Sequence, residues 1–263
     1  MESTPEGLKV YRKTEDDRTY VMTVDVSRGQ GLDYHAFSVV DTTESPYRVV
    51  ASFRNNELQP MIYPNLVYRV AKTYNEAQVL VEINDIGGQV VDILKMDLEY
   101  DNILHTSNKP GKGQELSEGF GSGKTQAGVK TSAKVKSIGC SLLKTLIEED
   151  KLLVEDFDTI SELTTFVAKG QSYQADDGQH DDMAMTLVLF AWMTSQPYFK
   201  DLCGTNVTRD MFDRKIEQME EDLAPFGFIQ DGEEKDDGPF VDDEGDVWFN
   251  ADDDDEIGIK GFF

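Results

Sequence analysis

Apolar positions along this chain fall into short blocks of two periods, separated by clusters of turn-forming residues. Tyr20-Val21-Met22-Thr23-Val24 is almost continuously apolar, and Phe37-Ser38-Val39-Val40 and Tyr47–Phe53 follow, with Asp41–Pro46 between those two. Short runs rich in β-branched and aromatic residues, bounded by such clusters, read as strands. Tyr20–Val26 and its two successors therefore predict an antiparallel meander. From Pro64 to Tyr74 the period changes, and Leu66, Val67, Val70, Ala71 and Tyr74 share one helical face. Ala77–Ile83 returns to a strand pattern. Asn84 or Asp85 stands where a cap would open a helix over Gly87–Lys95, and Ile103–His105 reads as a short fifth strand.

A helix is expected over Ala127 to Glu149, then a brief extended stretch at Leu152–Val154. Asp158 or Thr159 would cap an amphipathic helix over Ile160–Val167. Met183–Thr194 is apolar nearly all round, the mark of a buried helix. Thr208 would cap a charged helix running to Leu223, and no internal repeat is present. Three strands, helix, strand, helix, strand and then helices is the order of an α/β fold of the ribonuclease H-like kind. It predicts a mixed β-sheet flanked by helices on both faces.

The chain of 263 residues is 39% hydrophobic and 10% aromatic, enough for a sizeable core. No run of 18 apolar residues occurs, so no membrane span is expected. The start, Met1-Glu2-Ser3-Thr4-Pro5, lacks the basic and apolar regions of a secretory signal. Two cysteines, Cys140 and Cys203, make neither a disulfide framework nor a metal-ligand spacing, which fits a reducing cytoplasm. The formal net charge of -26 would repel nucleic acid at long range, yet the charge is uneven. Residues 229–263 hold 14 Asp and Glu against Lys235 and Lys260. Residues 106–136 carry Lys109, Lys112, Lys124, Lys130, Lys134 and Lys136 against Glu115 and Glu118. The expected organisation is a polar leader over 1–18, a ribonuclease H-like α/β domain over 19–228 with a basic mobile loop at 106–136, and an acidic, flexible tail from 229. The basic loop would contact phosphates without reading sequence, and Arg28 would join it or pair with a carboxylate. Aromatic residues interleaved in the tail, Phe240, Trp248, Phe249, Phe262 and Phe263, suit docking or autoinhibition better than plain solvation.

Acidic residues at three separated places carry the candidate chemistry. Asp25 ends the first strand, Glu82 ends the fourth, and His180-Asp181-Asp182 opens the apolar helix. Carboxylates at the edges of buried elements are costly unless paired or bound to metal. In a sheet of this type the first and fourth strands are parallel neighbours, and ligands sit off their carboxyl ends. Asp25 and Glu82 would then face each other, the helix start would reach the same place, and two hard cations would offset the repulsion. That arrangement points to phosphodiester chemistry.

Asp25-Val26-Ser27-Arg28-Gly29 with Asp33 downstream, then Val81-Glu82-Ile83-Asn84-Asp85-Ile86-Gly87, then Gly178-Gln179-His180-Asp181-Asp182 resemble the nuclease domain of the large terminase subunit of tailed bacteriophages, most closely the T4-like group. Lys124-Thr125 to Lys136 and Asp158–Phe166 resemble it too, and the resemblance covers roughly residues 20–195. It implies a metal-dependent endonuclease that cuts concatemeric viral DNA during head filling, using Mg²⁺ or Mn²⁺. The first-strand acid corresponds to Asp25 and the fourth-strand acid to Glu82. The third falls in Asp181-Asp182, with Asp181 favoured, because successive helical residues point about 100° apart. Asp182 would be a supporting partner or cap, Asp33 an outer ligand, and His180 would orient water or phosphate. The implied partners are double-stranded DNA, a packaging ATPase domain, the portal and the small terminase subunit, at the prohead portal in the host cytoplasm. The family's large subunit normally begins with an ATPase, and this chain looks like the nuclease half alone. Gly119-Phe120-Gly121-Ser122-Gly123-Lys124-Thr125 is no Walker A loop, since position 118 is Glu where that pattern needs Gly, so no ATP is expected on this chain. Two other readings stay open: a resolvase- or transposase-type nuclease of the same fold, and a non-catalytic acidic module that binds metal or a basic partner.

Overall fold

The computed structural model describes residues 5–28, 33–109, 113–117, 125–169 and 172–203, with two short strands at 240–241 and 247–248. The chain forms two compact units, Met1–Met219 and Glu220–Phe263. In the second unit the described residues are an antiparallel pair, Phe240–Val241 with Val247–Trp248.

The first unit is built on one mixed sheet. Its strands are β1 (Leu8–Val10), β2 (Tyr20–Asp25), β3 (His35–Asp41), β4 (Tyr47–Asn55) and β5 (Gln78–Val81), in the spatial order β1-β4-β3-β2-β5. The meander β2-β3-β4 is antiparallel, as its turn-linked apolar runs predict, and β5 lies parallel to β2. Beyond β5 the chain makes a parallel bridge between Val79 and Ile103, the position of the expected fifth strand. Helix α1 (Tyr63–Thr73) supplies the crossover from β4 to β5, and α2 (Gly87–Asp92) runs on into a π-helical turn at Ile93–Asp97.

The alternation of side chains along a strand sends them to opposite faces. On β2, Tyr20, Met22 and Val24 pack with α1 and α2, while Val21 faces a second layer. That layer holds α3 (Ala133–Glu148), α5 (Asp182–Thr194) and α6 (Pro197–Cys203). Every residue of α5 from Met183 to Thr194 is buried, which accounts for a sequence with no polar face. Helices α3 and α5 meet closely at Gly139, where a Cβ would lie 2.5 Å from the Val188 carbonyl oxygen. Only glycine permits that approach.

Three expectations change. Residues 8–10, inside the expected leader, pair with Phe53–Ala51 as an edge strand, since Leu8 covers the core on one side. The expected mobile loop over 106–136 contains a three-stranded sheet of β6 (His105–Lys109), β7 (Gly113–Ser117) and β8 (Thr125–Ala127), in the order β7-β6-β8, and α3 then begins at Ala133. Backbone pairing, with Thr106 and Leu116 buried beneath it, holds this polar segment in register. Residues 110–112 and 118–124, with Lys112 and Lys124, lie outside the described residues, as do the expected Thr208–Leu223 helix and most of the acidic tail. Finally, β9 (Leu152–Leu153) pairs with β4, and α4 (Phe157–Thr165) is capped by Asp156 rather than Asp158 or Thr159. Two short strands follow it, β10 (Phe166–Lys169) and β11 (Ser172–Ala175).

Candidate active site

Parallel pairing of Val24 with Val81 brings the next residues, Asp25 and Glu82, out of the sheet side by side. The Glu82 amide donates to the Val24 carbonyl at 2.8 Å. On its other side the Glu82 backbone is held by a strap, where Val129 donates to Val81 and accepts from Ile83, each at 2.9 Å. A Cβ at Gly87 would collide with the Glu82 carbonyl oxygen, so a glycine is needed where the chain folds back over this residue. Glu82 itself is buried. Burial, first, then the charges of Glu82, Asp182 and Asp181 and a hydrogen bond with Glu82 push the Asp25 carboxyl well above the usual range.

Helix α5 presents its acidic start to the same place. Asp182 Oδ1 accepts the Tyr34 amide at 3.1 Å. Burial raises the Asp182 carboxyl to about 6, against the lowering effect of that amide and of Arg54. Asp181 occupies the N-cap position but makes no side-chain cap bond, and its carboxylate lies 3.7 Å from Lys136 Nζ. One open cleft of about 430 Å³ brings these groups together: Asp25, Glu82, Asp181 and Asp182, with Asp33 at the same wall and Arg28 and Lys136 as its cations.

Further polar residues line the cleft or stand behind its wall, and the sequence pattern gave Gln114 and His35 among them no role. The Asn84 amide clamps the Thr131 backbone, donating to its carbonyl at 3.2 Å and accepting its N–H at 3.1 Å. Asn84 is therefore not a helix cap, and Asp85 instead forms a two-bond ion pair with Arg28. Gln114 repeats the clamp on Lys130 at 2.6 and 2.9 Å, tying the small sheet to the strap. His35 is fully buried, accepting the Ser27 amide on Nδ1 and donating from Nε2 to the Leu58 carbonyl, which fixes the neutral tautomer below the loop after Asp25. Burial lowers its pKa accordingly. Glu162 is buried on α4, and burial pushes its carboxyl up to about 7. On α4, Thr159 and Glu162 are buried while Phe157 and Ile160 stay exposed, the reverse of ordinary amphipathicity.

Of the other candidates, His180 lies beside the cleft, edge-on to Tyr34 with ring centroids 4.9 Å apart and its Nδ1 3.8 Å from Asp182. Lys109 pairs with Glu115 on the small sheet, Lys130 is exposed, and Lys134 starts α3; none of these three lines the cleft.

Among the described residues no three His, Cys, Asp or Glu side chains already stand as a finished cation cage. The donor chemistry nonetheless fits a hard divalent cation, with carboxylate oxygens converging in a polar cleft. The Thr131 hydroxyl in its wall is buried with no hydrogen-bond partner among the described residues, a group suited to a water or phosphate oxygen.

Residues 22–193 match the family of the terminase RNaseH-like domain. The fold is similar to the large terminase nuclease from thermophilic phage G20c, with a TM-score of 0.52 and 19% identity over 71% of this chain and 88% of that one. The same nuclease with bound magnesium gives 0.52 and 19% over 72% and 88%. The Thermus phage P74-26 large terminase nuclease domain gives 0.51 and 20% over 70% and 83%. The matched stretch runs from β2 through α5 and contains Asp25, Asp33, Glu82, Asp85, Asp181 and Asp182 of the cleft, and the chain belongs to the terminase RNaseH-like domain family.

Proposed function

We propose that this chain is a divalent-metal-dependent DNA endonuclease that cuts concatemeric viral DNA during genome packaging, with little sequence specificity. The observation that carries the reading is the Asp25–Glu82 pair at adjacent parallel strand ends, faced by the acidic start of α5. Carboxyl groups held this close cost free energy when ionised unless a cation sits among them. Asp25, Glu82 and Asp181 would hold Mg²⁺ or Mn²⁺ as two ions, with Asp182 and Asp33 as further ligands. When bound, the metal supplies Lewis-acid charge at the phosphodiester and makes water a better nucleophile.

The chain's own groups do the rest. Asn84 and the Val129 strap fix Glu82 and the Thr131 hydroxyl in one wall. Tyr34 aims Asp182 through its amide. Lys136 lies in the cleft against Asp181 and would move to a phosphate oxygen once a cation claims that carboxylate. The similar structures of a large terminase nuclease, in forms with bound magnesium, cobalt and zinc, support this reading. The partners would be duplex DNA, a packaging ATPase domain, the portal and the small terminase subunit, in the host cytoplasm at the prohead portal. The T4-like affinity rests on the Asp25–Gly29, Val81–Gly87 and Gly178–Asp182 motifs.

The test is cleavage of supercoiled plasmid with Mg²⁺ or Mn²⁺. Asp25→Asn should abolish it while circular dichroism stays native-like and unfolding stays cooperative. Metal-dependent cleavage that persists in this variant would overturn the assignment, and a preference for branched over plain duplex DNA would turn it toward a resolvase.

A further inference from the structure

Glu162 lies outside the cleft on a different helix from the cleft carboxylates, yet its contacts bear on one of them. An N-cap Asp ordinarily accepts the amides of the second or third helical residue. The chain caps two helices in that way: Ser132 accepts Val135 N–H at 3.3 Å for α3, and Asp156 accepts Thr159 N–H at 3.0 Å for α4. Helix α5 differs. Asp181 holds its N-cap position, with φ -130° and ψ 13°, but makes no cap bond. The two amides it would accept, those of Met183 and Ala184, donate instead to Glu162 Oε2 at 2.7 and 3.0 Å.

We infer that Glu162 is a positioning residue: by capping α5 from α4, it keeps the Asp181 carboxylate out of the cap and in the cleft. A local aspartate could cap this helix without burying a carboxylate, so helix stability alone does not explain Glu162. Its other oxygen stands 3.4 Å from Arg54 Nε, and the Arg54 guanidinium lies 3.9 Å over the Tyr34 ring. Tyr34 in turn donates its amide to Asp182. One chain of contacts, buried at Glu162 and half-buried at Arg54 and Tyr34, therefore releases Asp181 and steadies Asp182. This explains why α4 turns Thr159 and Glu162 inward and leaves Phe157 and Ile160 outside.

The inference rests on the reading of the cleft as a cation site, and its test is arranged to separate the two. Crystals of metal-free Glu162→Ala and Glu162→Met are compared with the parent chain. The methionine variant keeps the packing volume should alanine not fold. In both, the Asp181 carboxylate should swing onto the Met183 and Ala184 amides. Calorimetric titration with Mn²⁺ should show affinity falling roughly tenfold or more, in the range found for residues that orient metal ligands. Glu162→Gln keeps an acceptor oxygen at the same reach and should retain both the Asp181 position and Mn²⁺ affinity. An unmoved Asp181 in the alanine and methionine variants overturns the inference, whatever the cation result. So does a glutamine variant as impaired as alanine. Failure of the parent chain to bind Mn²⁺ would count against the cation reading alone, because the position of Asp181 is read without metal.

Discussion

Asp25 is under electrostatic strain, since burial and three neighbouring carboxylates all oppose its ionisation. The sign of the consequence follows from linkage. A carboxyl whose folded pKa is raised destabilises the native state fully above that pKa, and the penalty fades as pH falls toward the ordinary value near ~4. For Asp182 it should fade below about 6, and for Glu162 below about 7. The metal-free chain should therefore melt at higher temperature at mildly acidic pH than at pH 8. Asp25→Asn should raise the metal-free melting temperature at pH 8 and flatten that pH profile, even as it removes activity. Equal profiles for the two proteins would show that Asp25 is not strained. Asp25 and Glu82 were legible in the sequence because each ends an apolar run, where a charge is conspicuous. Glu162 was not, because a glutamate between Ser161 and Leu163 reads as a solvated helix residue until α5 is seen to need its amides filled.

The strongly periodic elements, β2 to β5, α1 and α5, lie close to where their hydrophobic pattern puts them, because burial on one or both faces leaves a readable trace. The small sheet β6-β7-β8 left none. Its strands run through Ser107-Asn108-Lys109 and Gly113-Gln114-Glu115, polar on nearly every position, and only Thr106 and Leu116 mark the buried side. Side-chain amides at Gln114 and Asn84 then fix the strap through backbone bonds that hydropathy cannot register. Close contact between α3 and α5 was equally silent, since Gly139 inside a helix pattern looks like a weakness. Gly139→Val should force the helices apart at Val188 and destabilise the chain by about 1–3 kcal/mol, the usual range for overpacking. Chemical denaturation measures it; an unchanged midpoint would mean the helices separate freely.

The whole molecule carries a formal charge of -26, and much of its excess lies in the segment after residue 229. Under the proposed function, long-range repulsion of DNA should hold intrinsic cleavage low. Removing residues 230–263 should raise plasmid cleavage at low salt. The gain should shrink near physiological ionic strength, where the screening length is about 8 Å. A gain independent of salt would point away from charge. The cleft also has a consequence in time. Its carboxylates come from Asp25, Glu82 and the Asp181-Asp182 pair, and the strap from Val129 that braces Glu82 follows the small sheet along the chain. On a ribosome, Asp25 would be made long before Asp181 and Asp182, and the helix that seals the sheet follows later still. If the cleft cuts DNA as proposed, a partly synthesised chain would be an unarmed one until α5 docks.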